Sequence, residues 1–218
     1  MTAPFGLLSF VFPAWNEEEM IAQTVEAATE AGESLVAGGQ VDDFEIVVVN
    51  DGSTDGTPEL IDALADVDRH VRAVHHPKNR GLGGTVRTGL AASKGDVVLY
   101  TDADLPFDLQ VMHKALRLMR RYDADIISMY RFDRTAEGPK RLVYSYLYNL
   151  LVRTTLNVRL RDVNFAGKVF RRNVLDRVEL QSEGSFVDVE LMVKAQRMGF
   201  SVIQFGVDYF ARTRGEST

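Results

Sequence analysis

Apolar, strand-like segments alternate with helical patterns along roughly the first 130 residues, and this alternation constrains the fold more than any other feature. The run 44–49 (FEIVVV) is continuous and rich in β-branched residues, which is typical of a strand buried on both faces. Regular strand–helix alternation implies right-handed crossovers. We therefore predict an α/β fold with a Rossmann-like, mostly parallel sheet flanked by helices. Further strands are predicted at 7–12, 71–75, 96–101 and 125–130, and helices at 17–36, 57–65, 83–93 and 107–122.

The 218 residues are expected to form one domain, because the length suits a single core. No repeat, low-complexity tract or linker divides them. The strand–helix pattern changes after about residue 135, and the C-terminal third is predicted to elaborate the same domain.

Composition excludes several classes of function. The chain has no cysteine, which rules out disulfides, thiolate metal sites and cysteine nucleophiles. Its net charge of −6 argues against a nucleic-acid partner, since such binders need a cationic surface. We expect neither a signal peptide nor a transmembrane helix, and the expected location is the cytoplasm.

Three polar clusters follow predicted strands, at 13–17 (PAWNE), 50–55 (NDGSTD) and 101–106 (TDADLP). In open α/β sheets, ligands bind outside the carboxyl ends of the strands. One acidic loop after a strand is common, whereas three on one edge indicate a site.

Asp102 and Asp104 form the sharpest feature of these clusters. Two carboxylates separated by one residue in an extended turn can reach a single hard cation, and Mg²⁺ and Mn²⁺ prefer oxygen ligands. The alternative is structural, with Asp104 capping a helix at Phe107 and Asp102 in a solvated turn.

The other two clusters and a glycine-rich segment are open to two interpretations each. Asp51 could accept a hydrogen bond from a nucleobase or ribose, or it could belong to an Asx-turn, and the two can coexist. Trp15 could stack on a base or pack in the core. Gly81 opens the segment GLGG (81–84), which could bind phosphate at a helix N-terminus but is only a weak match to a dinucleotide fingerprint.

Taken together and in order, the motifs at 13–17, 51–55, 79–83 and 102–104 resemble glycosyltransferase family 2, in particular its polyprenyl-phosphate (dolichyl-phosphate mannose synthase-like) sugar transferases. Each motif alone is unspecific, but the ordered set is characteristic, and the resemblance covers nearly the whole chain. It implies a GT-A fold and an inverting, Mg²⁺- or Mn²⁺-dependent hexosyltransferase. It also implies a nucleotide-sugar-binding part at about 1–135 and an acceptor and membrane-interface part at about 136–218.

The resemblance also implies roles for single residues. Metal ligands would be Asp102 and Asp104, and the acceptor phosphate would be held by Arg141 and Ser145. The catalytic residues implied are Asp104, Arg131 and Asp162. The nucleotide-sugar-binding residues implied are Pro13, Ala14, Trp15, Asn16, Glu17, Asp51, Arg80, Gly81, Asp102, Asp104, Arg131 and Arg212. Asp188 and Glu190 fall on a helix where the family often has acidic residues. Thr218 departs from the lysine of many mannose synthases, and Leu105-Pro106 replaces a segment that is often polar there.

The stretch 138–161 points to the acceptor, because it has five basic residues and no acidic one. A basic, aromatic-rich apolar helix can lie in a membrane interface, although a core helix with solvated ends is the alternative. A phosphate monoester is largely a dianion at neutral pH and needs little help to attack, whereas a hydroxyl acceptor needs a general base. Asp162 or an acid at 188–190 could supply that base.

The leading hypothesis is transfer of a hexose from a nucleotide diphosphate sugar, of the GDP-mannose or UDP-glucose type, to a polyprenyl phosphate. The enzyme would be peripheral to the cytoplasmic face of a membrane, with a membrane protein as a further expected partner. The alternatives are a family 2 enzyme acting on a hydroxyl of a polysaccharide or glycolipid, and a non-catalytic nucleotide-sugar-binding module. A nucleotidyltransferase and a nicotinamide oxidoreductase fit the sequence less well.

Overall fold

The computed structural model describes residues 3–132, 154–156 and 160–210. Its strands are β1 (Phe5–Ala14), β2 (Val41–Asn50), β3 (Val71–His75), β4 (Val97–Thr101), β5 (Ile126–Arg131), β6 (Gly167–Arg171) and β7 (Val202–Val207). The helices lying wholly in these ranges are α1 (Ile21–Ala37), α2 (Thr57–Val67), α3 (Gly81–Ala92), α4 (Met112–Arg121), α5 (Arg172–Leu175) and α6 (Val187–Arg197), with a 3₁₀ helix at Leu109–Val111.

The described strands form one sheet in the order β3-β2-β1-β4-β6-β5-β7. Pairs β1–β2, β1–β4, β2–β3 and β5–β7 are parallel, and β6 alone runs antiparallel to its neighbours β4 and β5. The predicted α/β class with a mostly parallel sheet is therefore confirmed. The antiparallel insertion of β6 was not predicted.

The two faces of the sheet carry separate hydrophobic cores. Phe10 and Phe12 of β1 are fully buried on the side covered by α1, α2 and α4. Val11, between them, is buried on the opposite side with residues of α3 and α6. Successive side chains of a strand point to opposite faces, so a strand covered by helices on both sides must be apolar throughout. This explains the uninterrupted apolar runs in the sequence.

The topology places the polar clusters at one edge of the sheet. Strands β1, β2, β4 and β5 run in the same sense, so their carboxyl ends lie along that edge. Strand β6 starts at the same edge, because Gly167 pairs with Thr101 at the end of β4. The segment before β6, which contains Asp162, therefore reaches the edge where Asp102 follows β4 and where β5 ends at Arg131.

Candidate functional site

Hydrogen bonds join the loops after β1 and β2. The Asn16 amide N–H donates to Ser53 Oγ (3.0 Å), and the Thr54 N–H donates back to Asn16 Oδ1 (2.9 Å). The Glu17 N–H donates to Thr57 Oγ1 at the start of α2 (2.8 Å). Asn16 also has a positive φ of 55°, a conformation that asparagine tolerates better than most residues. Asn16 thus holds the loops after β1 and β2 together.

The remaining residues of the first cluster are placed differently from one another. Pro13 and Ala14 lie inside β1 rather than after it, and the Ala14 carbonyl accepts the Asp51 N–H at 2.8 Å. Trp15 is 38% exposed, so the alternative of a core tryptophan does not hold. Its ring is available for contact with a ligand.

Asp51 is a buried carboxylate at the end of β2, only 3% exposed. Its Oδ1 accepts from His76 Nδ1 at 2.7 Å and from the Arg80 backbone N–H at 2.8 Å. Its Oδ2 accepts no hydrogen bond from the residues that the structure describes. The turn expected here also exists, since the Ser53 N–H donates to Asn50 Oδ1 at 2.9 Å. The turn therefore coexists with a carboxylate oxygen that remains available.

Two N–H groups at the start of α3 are already bonded within the protein, one to a side chain and one to the backbone. The Gly81 N–H donates to Asn79 Oδ1 (2.9 Å) and the Gly83 N–H donates to the Glu183 carbonyl (2.7 Å). A Cβ atom on Gly83 would lie 2.2 Å from the Ser182 carbonyl oxygen, so only glycine allows this close approach. These two N–H groups are already used, which disfavours the phosphate cradle considered for this helix N-terminus.

The acidic turn after β4 has a defined backbone. Ala103 is buried, and its carbonyl accepts a hydrogen bond from the Thr24 hydroxyl of α1. Leu105 has a positive φ of 51°, a strained conformation of the kind that concentrates at functional sites. The following 3₁₀ helix is capped by Asp108, whose Oδ1 accepts the Gln110 N–H at 2.9 Å. The helix-capping alternative for Asp104 is therefore wrong.

Acidic charge is concentrated around Asp102. Burial, the neighbouring charge of Asp104 and then that of Asp188 raise the pKa of Asp102 to about 7, against the opposing effect of Lys168. The charge of Glu17 acts in the same direction as Asp104. Such crowded carboxylates favour a cation, and two of them suit Mg²⁺ or Mn²⁺, which usually complete their shells with water and substrate phosphates. Within the described ranges, no group of three or more His, Cys, Asp or Glu residues forms a metal site.

A buried ion pair lies on the α6 face of β4 and β6. Lys168 is fully buried, and its Nζ donates to Asp188 Oδ1 (2.8 Å) and to the Phe165 carbonyl (2.7 Å). Its cross-strand neighbour Tyr100 is also fully buried, and the Tyr100 hydroxyl makes no hydrogen bond with the described residues. Sequence reasoning missed Lys168; its one local signal is a lone lysine in an apolar strand-like run.

Arg131 and Asp162, both predicted as catalytic, contact each other. Arg131 Nε donates to Asp162 Oδ2 (2.8 Å) and its NH2 group to Asp162 Oδ1 (3.1 Å), a bidentate pair. The guanidinium also lies 5.5 Å from the Phe165 ring centroid and 5.3 Å from that of Tyr209. The pair therefore fixes the end of β5 to the segment before β6.

Glu190 of α6 holds the segment that covers α3. Its carboxylate accepts the N–H groups of Gln181 (3.0 Å) and Ser182 (2.7 Å) and the Nζ of Lys194 (2.6 Å). The helix expected around Asp188 and Glu190 is confirmed as α6. Both carboxylates are engaged in protein contacts.

The remaining predicted site residues, Arg141, Ser145 and Arg212, lie outside the described residues, as does most of the basic stretch 138–161. In the described part of the chain, no helix is both long and apolar enough to cross a bilayer.

Comparison with known proteins decides the family. The sequence profile of glycosyl transferase family 2 matches residues 9–179. The chain belongs to this family. Among curated relatives, glycosyltransferase AglD of Haloferax volcanii is 38% identical over 207 residues, which are 93% of this chain but 33% of AglD. Undecaprenyl-phosphate 4-deoxy-4-formamido-L-arabinose transferase of Salmonella choleraesuis is 26% identical and covers 89% of this chain, which spans 58% of that enzyme.

Solved structures agree on the fold. Glucosyl-3-phosphoglycerate synthase from Mycobacterium tuberculosis, in complex with Mn²⁺, UDP-glucose and phosphoglyceric acid, superposes with a TM-score of 0.68 at 25% identity. The match covers 96% of this chain and 73% of that one. The family 2 chain thus has the GT-A fold that the motifs predicted. It spans about one third to just over half of the two curated relatives named above.

Proposed function

We propose that this chain is a metal-dependent hexosyltransferase that uses a nucleotide diphosphate sugar, of the GDP-mannose or UDP-glucose type. The observation that carries the proposal is the acidic turn, where burial and the charge of Asp104 raise the pKa of Asp102 to about 7. Surplus negative charge at the carboxyl edge of the sheet suits Mg²⁺ or Mn²⁺ held by Asp102 and Asp104. When bound, such a cation neutralises the charge of a departing diphosphate.

The nucleoside end of the donor is assigned to the first two clusters. Asp51 Oδ2 would accept a ring N–H of the base, and Trp15 offers an exposed ring for stacking. The same side of the nucleoside site would also be formed by Pro13, Ala14, Asn16 and Glu17. At the diphosphate end we assign Arg80, Arg131 and Arg212 but not Gly81, whose N–H is bonded to Asn79. We assign Arg131 and Asp162 to the reaction centre together with Asp104.

The proposed acceptor is a polyprenyl phosphate, attacked with inversion at the anomeric carbon. An acceptor phosphate oxygen would form the new bond while the bond to the donor's diphosphate oxygen breaks, and the diphosphate would leave with the electron pair. Because the attacking oxygen is already ionised, no proton has to be removed. This suits a site in which Asp188 is paired with Lys168, Asp162 with Arg131, and Glu190 with backbone N–H groups.

The name of the Salmonella relative supports the same class of acceptor, since it refers to undecaprenyl phosphate. We propose that about 1–135 form the donor-binding part and about 136–218 the acceptor part. Arg141 and Ser145 would hold the acceptor phosphate. The enzyme would lie on the cytoplasmic face of a membrane, alone or with a membrane protein partner.

A second candidate is transfer to a hydroxyl acceptor. The observation in favour of this candidate is the structural neighbour that binds phosphoglyceric acid, a small phosphorylated molecule and not a lipid. This alternative requires a general base, and both Asp162 and Asp188 would have to leave their present ion pairs to serve as one.

A transfer assay tests the proposal. Purified protein is incubated with Mn²⁺, a short polyprenyl phosphate in detergent and, separately, GDP-mannose, UDP-glucose or UDP-N-acetylglucosamine, and products are identified by mass spectrometry. A glycosylated polyprenyl phosphate from one donor is expected. Transfer only to 3-phosphoglycerate, run as a parallel acceptor, would select the second candidate, and Arg141→Ala should reduce lipid transfer without changing nucleotide affinity.

A further inference from the structure

His76 lies directly behind the carboxylate that we assign to the nucleobase. It follows β3, and its side chain is 5% exposed, as is that of Asp51. The His76 backbone N–H donates to the Asn50 carbonyl at 2.9 Å, so β2 fixes the main chain of His76 beside Asp51. A histidine this buried with both ring nitrogens in contact has a single orientation.

The contacts of the His76 imidazole define the role of each ring nitrogen. An ionised carboxylate can only accept, so the 2.7 Å contact requires a proton on His76 Nδ1 that points to Asp51 Oδ1. His76 Nε2 lies 2.9 Å from Thr88 Oγ1 of α3. Turning the ring over would replace both nitrogens with carbon atoms, so that Asp51 Oδ1 would keep only the Arg80 N–H and Thr88 Oγ1 only its bond to the Gly84 carbonyl. The imidazole thus connects α3 rigidly to Asp51.

Two donors act on the same oxygen of Asp51. His76 Nδ1–H and the Arg80 N–H both reach Oδ1, which fixes the carboxylate plane and leaves Oδ2 on the opposite side. Since charge-assisted hydrogen bonds are among the strong ones, this arrangement resists rotation of the carboxylate. A hydrogen-bond acceptor that is already oriented loses little conformational entropy when a ligand N–H binds to it.

We propose that His76 is a positioning residue for nucleobase recognition: it orients Asp51 so that Oδ2 faces a ring N–H of the base. The inference rests on the proposed function, since it requires a nucleotide at this edge. His76 itself does not touch the donor. Its effect is confined to the base and does not extend to the diphosphate.

The chain allows a test by amide substitutions that copy one ring nitrogen at a time. In His76→Asn, the side-chain NH₂ can occupy the place of Nδ1 and keep the bond to Asp51. In His76→Gln, the amide reaches only toward the place of Nε2 and Thr88, and His76→Ala removes both bonds. His113→Ala is the matched control, because both ring nitrogens of His113 are also in contact, with Ser34 and Gln40, but Gln40 precedes β2 at the opposite edge of the sheet.

Binding of UDP, GDP and inorganic pyrophosphate is measured by calorimetry with Mn²⁺, and the melting temperature of each variant is recorded. For the nucleotide that the unsubstituted chain prefers, we expect about a 10- to 100-fold weaker Kd with His76→Ala and His76→Gln. The Kd values of His76→Asn and His113→Ala should remain within about threefold of the unsubstituted chain, and pyrophosphate affinity should not change in any variant.

Each contrary result has a separate meaning. If the unsubstituted chain binds neither nucleotide, the proposed function itself fails. If it binds one and His76→Ala binds that nucleotide equally well, the positioning role is wrong while the proposed function stands. Equal loss in His76→Asn and His76→Ala, or a parallel loss of pyrophosphate affinity, would make His76 a structural residue and would also overturn the inference.

Discussion

At the scale of single residues, the acidic turn combines a strained backbone with crowded charge. Leu105 has a positive φ and the Ala103 carbonyl is held by Thr24, so the two carboxylates cannot separate freely. Burial and then the charge of Asp104 raise the pKa of Asp102, and a cation would relieve the repulsion between the two carboxylates. This is the basis for our proposal that Asp102 and Asp104 bind the metal together.

Asp104→Asn should therefore abolish most activity. Removing one of two carboxylates is expected to lower transfer and Mn²⁺ affinity by at least about 100-fold, because the metal would keep a single protein ligand. The measurement is the initial transfer rate across a Mn²⁺ titration. Asp108→Asn is the control, since Asp108 is exposed in the same loop and caps the 3₁₀ helix. Full activity of Asp104→Asn would rule out the metal assignment.

The buried Lys168–Asp188 pair leads to a prediction about stability. Lys168→Met leaves Asp188 as a buried, uncompensated charge, which should lower the free energy of unfolding by about 3–5 kcal/mol. Lys168→Met combined with Asp188→Leu removes both charges and should recover most of that loss. Urea denaturation of the two variants measures the difference. A loss below about 1 kcal/mol in the single variant would contradict it.

Sequence reasoning found the acids at the strand ends but not the groups behind them. Asp51 and Asp102 are visible because each follows a run of apolar residues. Lys168 and His76 act on partners 20 and 25 residues away, and no local pattern indicates which distant residues meet.

At the scale of elements, the segment 181–183 connects α6 to α3 through hydrogen bonds. Glu190 holds its N–H groups, and the Glu183 carbonyl accepts the Gly83 N–H. Burial raises the pKa of the Glu190 carboxyl, but hydrogen bonds from Lys194, Ser182 and Gln181 outweigh burial and lower that pKa to about 2. The carboxylate form of Glu190 therefore stabilises the folded chain.

The sign of the pH dependence follows from this lowered pKa. The stabilisation is complete above the ordinary value of 4.5 and is lost as the pH falls from there toward about 2. We expect Glu190→Gln to melt at a lower temperature than the unsubstituted chain at pH 5–8, and we expect this difference in melting temperature to become smaller below about pH 4.5. The other carboxyl groups titrate in both proteins, so they do not contribute to the difference. The control Glu179→Gln changes an exposed carboxylate nearby and should melt at the same temperature as the unsubstituted chain. A difference for Glu190→Gln that does not change with pH would refute the stabilising role of the Glu190 carboxylate.

The elements themselves were predictable where strand and helix alternate. Strands β1 to β5 were found because each contains apolar residues between polar segments, although Arg72 weakens this signal in β3. Strands β6 and β7 were missed. In β6, the buried Lys168 and the terminal Arg171 interrupt the apolar pattern, and an antiparallel insertion breaks the alternation on which the prediction depended.

At the scale of the whole molecule, the fold could be derived from the residues, whereas the proposal for the acceptor also needed the resemblance to the family. The proposed donor side consists of loops at strand ends, which the topology of the sheet brings together. The proposed acceptor side includes the stretch 138–161, whose composition indicates positive charge and apolar character but does not identify the acceptor. The division of the chain into donor and acceptor parts therefore stays a prediction.

The charge distribution of the chain gives the last prediction. With a net charge of −6, the protein should be repelled by anionic vesicles unless the basic stretch 138–161 faces them. Each basic residue near such a surface contributes about 1 kcal/mol, and salt screens the attraction over about 8–10 Å. We expect flotation with anionic vesicles at low salt, a decrease as salt rises, and less binding to neutral vesicles.

Replacing Lys140, Arg141 and Arg153 by glutamine should abolish flotation. Replacing the exposed Arg69, Arg117 and Arg121 changes the net charge equally, so equal loss in both triple variants would show that overall charge, not this stretch, directs the protein to the membrane.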